Sequence, residues 1–241
     1  MKQLHLFALL LSLNGALAQI PSAISPDPNT PQVLDTYNTL FIEEMTWLEV
    51  RDALKAGKTT AIIATGGVEQ NGPYLATGKH NFVLRATTLA IAKKLGNALV
   101  APIVPFVPEG AIHPPTGHML YPGTISVSQK TFQFLLTDIA SSLKAHGFKH
   151  LILIGDSGGN QTGMKQTADS LSRSWDTQIT TIHFIPEYYT QLPDSKWLAQ
   201  KGIVEKDEGL HDDFAITATI MTIDPNMVRM NLKVYIQLLY R

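Results

Sequence analysis

Thr59-Thr60-Ala61-Ile62-Ile63-Ala64-Thr65 runs directly into Gly66-Gly67-Val68-Glu69-Gln70-Asn71-Gly72-Pro73-Tyr74-Leu75-Ala76-Thr77-Gly78-Lys79-His80-Asn81. The centre of the first segment is continuously apolar, as buried parallel strands are. The second segment contains four glycines and a proline, which allow the backbone to turn sharply and to lie close to another group. A polar, glycine-rich loop that leaves a buried strand is a common place for a site on an α/β scaffold.

Strand-like and helix-like segments alternate on both sides of this stretch. The predicted strands span residues 59–65, 98–107, 124–127, 149–155 and 177–186. The predicted helices span residues 43–56, 81–95, 128–146, 158–175 and 211–223, and Thr46 and Glu49 form a capping-box pattern in the first of them. This alternation predicts an α/β protein, a three-layer α/β/α sandwich with a mostly parallel central sheet.

The N-terminal residues have the pattern of an export signal. Lys2 precedes the apolar run Leu6 to Leu13, and Ala16-Leu17-Ala18 is typical of a cleavage site. We therefore predict a signal peptide at 1–18, a Pro-rich linker or arm at 19–40 and a single domain at 41–241. With no cysteine in the chain, this indicates a periplasmic or secreted protein that uses no disulfides.

Composition excludes two classes of partner. The formal net charge is −1 and no block of basic residues occurs, so neither nucleic acid nor an anionic membrane surface is expected to bind. The N-terminal apolar run is too short to span a bilayer, and no membrane span is predicted.

Two polar loops follow predicted buried strands. Glu69 and His80 lie in the first loop, and Asp156 follows the strand that ends at Gly155. Because the carboxyl ends of parallel strands meet at one sheet edge, we expect the three side chains to be neighbours. They are ligand types that bind zinc or manganese. Alternatively, Glu69 caps loop amides, and His80 and Asp156 cap the helices that follow them.

Further positions are weighed as candidates for chemistry. His211 lies at a predicted helix N-terminus, where a cation is disfavoured, so a neutral histidine poised to exchange a proton is indicated. His118 lies in the long loop 108–123, where it could line a pocket or be an ordinary loop histidine. Lys79 is expected to be solvated. Ser157 with His211 and one of two acids (Asp212 or Asp213) leaves a serine hydrolase open, although no G-x-S-x-G sequence occurs.

Four segments resemble the motifs of the creatininase (creatinine amidohydrolase) family, in family order, over about residues 43–230. Residues 66–75 are similar to G-x-x-E-Q-H-G-P-H-L, and residues 118–126 are similar to H-x-x-F-P-G-T-x-S. Residues 154–160 resemble a segment containing N-G-H-G-G-N, and residues 211–217 resemble H-A-G-x-x-E-T. The resemblance implies an α/β/α fold, a divalent metal pair, hydrolysis of C–N bonds in cyclic or linear amides, and a homo-oligomer.

Carried over by position, the resemblance retains only part of the family's site. Glu69 and His211 match the family's metal-binding glutamate and its proton-transfer histidine. The other family positions hold different residues: Asn71 for the motif histidine, His80 for the later acid, and Ser157, Gly159 and Ile216 in the later motifs. We therefore predict one Zn²⁺ or Mn²⁺ ion rather than two, held by Glu69, His80 and Asp156.

Two functional hypotheses follow. In the first, the protein is a metal-dependent amidohydrolase that cleaves a C–N bond of a small amide or lactam. Glu69 and His211 are then catalytic, and Asn71, His118 and Asn160 orient the substrate. In the second, the protein is a catalytically silent family member that binds a small ligand or a protein partner. The altered positions Asn71, Ser157 and Ile216, where ligands are lost, favour the second hypothesis, and the retained glycines and His211 favour the first.

Overall fold

A four-stranded parallel sheet forms the centre of the protein. The computed structural model describes residues 27–33, 36–190, 195–204 and 211–232. The strands are β1 (Thr60–Thr65), β2 (Ala98–Val100), β3 (His150–Gly155) and β4 (Thr181–Phe184). Their order across the sheet is β2-β1-β3-β4, and Thr65 at the end of β1 is in register with Gly155 at the end of β3. The loops after these two strands therefore leave the sheet side by side.

Seven α-helices occur in the described residues. They are α1 (Trp47–Lys55), α2 (Lys79–Leu95), α3 (Gln129–Ala145), α4 (Gly158–Ser174), α5 (Glu187–Thr190), α6 (Ser195–Gln200) and α7 (Phe214–Ile223). The helices that supply the cores on the two faces of the sheet are α2, α3 and α4. The predicted capping box of α1 is present, with Thr46 accepting from the Glu49 backbone and Glu49 accepting from the Thr46 backbone.

Strand β1 shows why the protein has three layers. Ala61 and Ile63 point into a core that contains residues of α3 and α4, whereas Ile62 and Ala64 point into a second core with residues of α2. Every residue of β1 is buried, so its apolar run is explained by helices on both faces. The predicted α/β fold with a mostly parallel sheet is confirmed.

Several predicted boundaries were wrong. Strand β2 ends at Val100 rather than at 107, because prolines at 102 and 105 cannot donate to a ladder; only isolated bridges at Val104 and Val107 follow. The predicted strand 124–127 likewise forms only isolated bridges. The last predicted helix begins at Phe214, where Asp213 caps it by accepting from the Ile216 backbone, so His211 precedes that helix.

The chain divides into two units between Thr36 and Tyr37. The predicted signal peptide lies outside the described residues, and in the first unit a turn joins Thr30 to Asp27. Within the described part of the chain, no helix is both long and apolar enough to cross a membrane.

Candidate active site

His80 connects the two loops that leave β1 and β3. It lies in the first turn of α2, where its Nε2 is 2.7 Å from Glu69 Oε1 and its Nδ1 is 2.8 Å from Asp156 Oδ2. All three side chains are buried. The prediction that the two glycine-rich loops place these residues at one sheet edge is therefore confirmed.

Two more histidines approach the Glu69 carboxylate. His118 Nε2, from the 3₁₀ turn Gly117–Leu120, is 3.3 Å from Glu69 Oε2. His211 Nδ1 is 3.2 Å from Glu69 Oε1, and the two imidazole rings are 4.5 Å apart between centroids. One ligand atom from each of Glu69, His118 and His211 lies within 4.8 Å of the others. This donor set of one carboxylate and two imidazoles fits a divalent transition metal.

The pKa values of these groups follow from burial and from their contacts. Burial alone would raise the pKa of Glu69, but hydrogen bonds from His211, His80 and Glu109 hold it well below its usual range. Burial would lower the pKa of His80, but hydrogen bonds to Asp156 and Glu69 outweigh it and raise that pKa. Burial lowers the pKa of His118, which favours the neutral imidazole that a metal requires.

The sequence did not point to Glu109 as a site residue, although its carboxyl group lies beside Glu69. Burial, and then the hydrogen bond to Glu69, raise the pKa of Glu109 to about 9. A Cβ atom on Gly67 would overlap Glu109 Oε1, so the glycine makes room for this carboxyl group. No motif or spacing marks Glu109 in the sequence, because it reaches Glu69 only through the path of the loop after β2.

The structure also buries Lys79, which we expected to be solvated. Its side chain is inside the site, and its Nζ donates a 2.7 Å hydrogen bond to the backbone oxygen of His211. Burial lowers the pKa of Lys79. The expectation was wrong because Lys79 begins α2 beside the loops rather than on the outer surface of that helix.

Asn71 and Asn160 hold the backbone of the first loop. Asn71 Nδ2 donates to the Glu69 carbonyl at 3.0 Å, and Asn160 Nδ2 donates to the Gly66 carbonyl at 2.7 Å. Both side chains are fully buried, so these amides stabilise the loop that carries Glu69. A direct contact of either amide with substrate stays a prediction.

The predicted ligands Glu69, His80 and Asp156 form a chain rather than a cluster. Glu69 faces Nε2 of the His80 ring and Asp156 faces Nδ1, so the two carboxylates approach different edges of the ring. The set stays a prediction, but the geometry offers Glu69, His118 and His211 as a closer group.

The helix-cap and serine-hydrolase alternatives have less support. Ser157, not Asp156, occupies the N-cap position of α4. Among the described hydrogen bonds, none joins the Ser157 hydroxyl to a histidine, since His211 Nδ1 faces Glu69 instead.

The sequence model of the creatininase family, described as creatinine amidohydrolase, matches residues 43–235. The chain belongs to the creatininase family. A creatinine amidohydrolase from Pseudomonas putida is 27% identical over 116 residues, which are 48% of this chain and 44% of that relative. The match to this creatininase thus spans less than half of the relative's length.

Solved creatininases have the same fold. A structure described as creatininase Mn superposes with a TM-score of 0.63 at 21% identity, over 80% of this chain and 76% of the other. A creatininase variant complexed with creatine superposes with a TM-score of 0.61 at 21% identity, over 80% of this chain and 76% of the other. At this identity the likeness shows the creatininase fold alone.

Proposed function

We propose that the protein is a metal-dependent amidohydrolase that cleaves a C–N bond of a small amide or lactam at a single-ion site. The observation that carries this proposal is the buried Glu69 carboxylate with His118 and His211 on it, close enough to share one ion. Family membership supports the hydrolase class, and the relatives named for creatinine or bound to creatine support a small substrate.

Glu69, His118 and His211 would hold the ion, with Zn²⁺ or Mn²⁺ matching the nitrogen and oxygen donors. When bound, a divalent ion supplies a water of lowered pKa and polarises the amide carbonyl. Glu69 contributes a fixed negative charge, because its partners keep it ionised.

The remaining residues of the site orient Glu69 and meet the substrate. Asp156 fixes the His80 ring, and His80 in turn fixes one oxygen of Glu69. His211 is 40% exposed at its side chain, against 1% for Glu69, so a substrate entering from solvent can reach His211 before Glu69. The proton-transfer role predicted for His211 and the ligand role offered by its Nδ1 are separable by experiment.

One observation favours the second candidate, a catalytically silent binding protein. Both oxygens of Glu69 have histidine partners, so these contacts with the protein already pair the carboxylate. In that case the pocket would bind a small ligand or a protein partner without turnover.

Metal analysis distinguishes the two candidates. The purified protein would be incubated with Zn²⁺ and separately with Mn²⁺, dialysed, and its metal content measured by plasma mass spectrometry before assay on a panel of small amides and lactams. We expect about one equivalent of metal and turnover of at least one compound. The first candidate would be excluded if the protein held less than about 0.1 equivalent of metal after both incubations.

Substitution of Glu69 tests the site itself. Glu69→Ala should abolish both metal binding and turnover, whereas Glu43→Ala, at an exposed acid outside the site, should retain both. Metal retained in a folded Glu69→Ala variant would contradict the proposed ligand set.

We also propose that the protein is exported, to the periplasm or the medium, and acts as a homo-oligomer. The predicted signal peptide supports export. Apolar side chains that are exposed within residues 106–125 support self-association: Phe106, Leu120, Tyr121 and Ile125. Cell fractionation and light scattering test the two statements, and an intracellular or strictly monomeric protein would contradict them.

A further inference from the structure

Lys79 is a charged side chain in an unfavourable place. It is the first residue of α2 and only 4% exposed, so its ammonium group is disfavoured both by burial and by the positive end of the helix dipole. The charges of four carboxylates, those of Glu69, Asp156, Asp213 and Asp212, favour the charged form and oppose this effect. Its described hydrogen bond, however, goes to the backbone oxygen of His211, so the group that it orders directly is a backbone segment 132 residues away.

The backbone of His211 needs an external restraint. Among the described residues, His211 is the only non-glycine with a positive φ, at 63°. This conformation costs about 1 kcal/mol or more and persists where neighbouring groups impose it. The next carbonyl is held as well, since Tyr74 Oη donates to the Asp212 oxygen at 2.7 Å. The loop after β1 thus binds two successive carbonyls of the segment that presents His211.

We propose that Lys79 is a positioning residue that holds the His211 imidazole against Glu69. Glu69 and Lys79 belong to the same loop and helix start, so one rigid unit carries the carboxylate and also fixes the backbone of its histidine partner. Without the Lys79 bond, the left-handed conformation at His211 would relax and its Nδ1 would leave Glu69 Oε1, now 3.2 Å away. This inference rests on the proposed function only where it concerns metal binding.

The imidazole signals of the metal-free protein test the proposal directly. Histidine ring nitrogens would be labelled with ¹⁵N, and the His211 signals assigned by their loss in His211→Ala. Lys79→Met should displace the His211 signals. Lys58→Met is the matched control, because Lys58 Nζ also donates to a backbone carbonyl, that of Gly96 at 2.9 Å, at the opposite end of β1. It should leave the His211 signals in place.

A folded Lys79→Met variant with unmoved His211 signals would overturn the proposal. That result is expected if Lys79 only stabilises the fold. Lys79→Arg, which keeps a charged donor, should restore the wild-type signals. If Lys79→Met does not fold, the shorter and uncharged Lys79→Gln decides: displaced His211 signals in the folded variant support the positioning role, and wild-type signals contradict it.

Loading with Co²⁺ connects this role to the proposed site. The visible spectrum of the Co²⁺ form of Lys79→Met should match that of His211→Ala rather than that of the wild type. A wild-type protein that takes up no Co²⁺ would contradict the proposed function, while the metal-free ring signals would still decide the role of Lys79. A wild-type spectrum in Co²⁺-loaded Lys79→Met would contradict the positioning role alone.

Discussion

His80 and Asp156 are joined through Nδ1 and Oδ2 at 2.8 Å, and this contact directs the other ring nitrogen of His80 to Glu69. The pair links the carboxyl ends of β1 and β3, which are neighbours in the sheet. Because Asp156 engages one edge of the ring, it fixes the rotation of the imidazole. The orientation of Glu69 therefore depends on a residue that does not contact it.

Replacing Asp156 with Asn should make the stability of the metal-free protein less dependent on pH. Burial lowers the pKa of His80, but the bonds to Asp156 and Glu69 raise it overall. Such a group stabilises the fold fully below its unfolded pKa of about 6.5, and this contribution is lost as the pH rises through the folded pKa. Asp156→Asn should lower the folded pKa, and each unit removes about 1.4 kcal/mol of that contribution.

Urea unfolding between about pH 6 and pH 9 measures this effect. The wild-type free energy of unfolding should fall more steeply with pH than that of Asp156→Asn. The exposed Asp138→Asn on α3 is the control, and it should follow the wild type. Equal slopes in wild type and Asp156→Asn would show that Asp156 does not set the charge of His80.

Metal affinity separates the two possible ligand sets. His118→Ala should weaken Zn²⁺ binding by at least about tenfold if the ion lies between Glu69, His118 and His211. The exposed His183→Ala on β4 should bind as the wild type does. Competition with a chromophoric chelator gives the affinities. If His118→Ala keeps its affinity for Zn²⁺ and Asp156→Asn loses it, the predicted ligand set of Glu69, His80 and Asp156 would be favoured.

His211→Ala distinguishes the two roles of that histidine. As a ligand, its loss should lower metal affinity and turnover together, because Nδ1 is the atom that faces Glu69. As a proton donor alone, its loss should leave the metal content unchanged and lower kcat, by about 10²-fold to 10⁴-fold. Metal content and kcat of the same preparation decide between them.

The sequence was sufficient to locate the site because the signal is local. A buried strand followed by a glycine-rich loop appears twice, and parallel pairing brings the two loops to one edge. Glu69, His80 and Asp156 could be placed together on this basis. Their contacts could not be derived, because a spacing does not say which ring nitrogen of His80 faces which carboxylate.

Lys79 and Glu109 show why the rest of the site was not predictable. Lys79 contacts a carbonyl 132 residues away, and Glu109 reaches Glu69 from the loop after β2. Both contacts depend on the path that long loops take across the edge of the sheet, and local periodicity does not determine this path. Burial then changes the charge of each group, and burial of a loop residue is a tertiary property.

Gly67→Ala should destabilise the protein by about 1–3 kcal/mol, the usual range for overpacking. A Cβ at this position would overlap the buried Glu109 Oε1. Gly78→Ala is a matched change in the same loop, because Gly78 has a φ of −93° and its Cβ would be 3.6 Å from the nearest atoms. It should alter the free energy of unfolding by less than about 0.5 kcal/mol. Equal denaturation midpoints for the two variants would contradict the close approach of Glu109.

Glu109→Gln should stabilise the metal-free protein increasingly as the pH rises. Burial and the bond to Glu69 raise the pKa of Glu109 to about 9 from a reference of 4.5. Between these values the folded state binds one proton more than the unfolded state, so the wild-type free energy of unfolding falls with pH. Gln is neutral and of similar shape, so the variant is uncharged at this position at every pH and takes up no proton.

Urea unfolding tests this prediction. Near pH 5 the variant and the wild type should have similar free energies of unfolding, whereas near pH 8 the variant should be more stable. A difference in stability between variant and wild type that is the same at both pH values would contradict the raised pKa of Glu109.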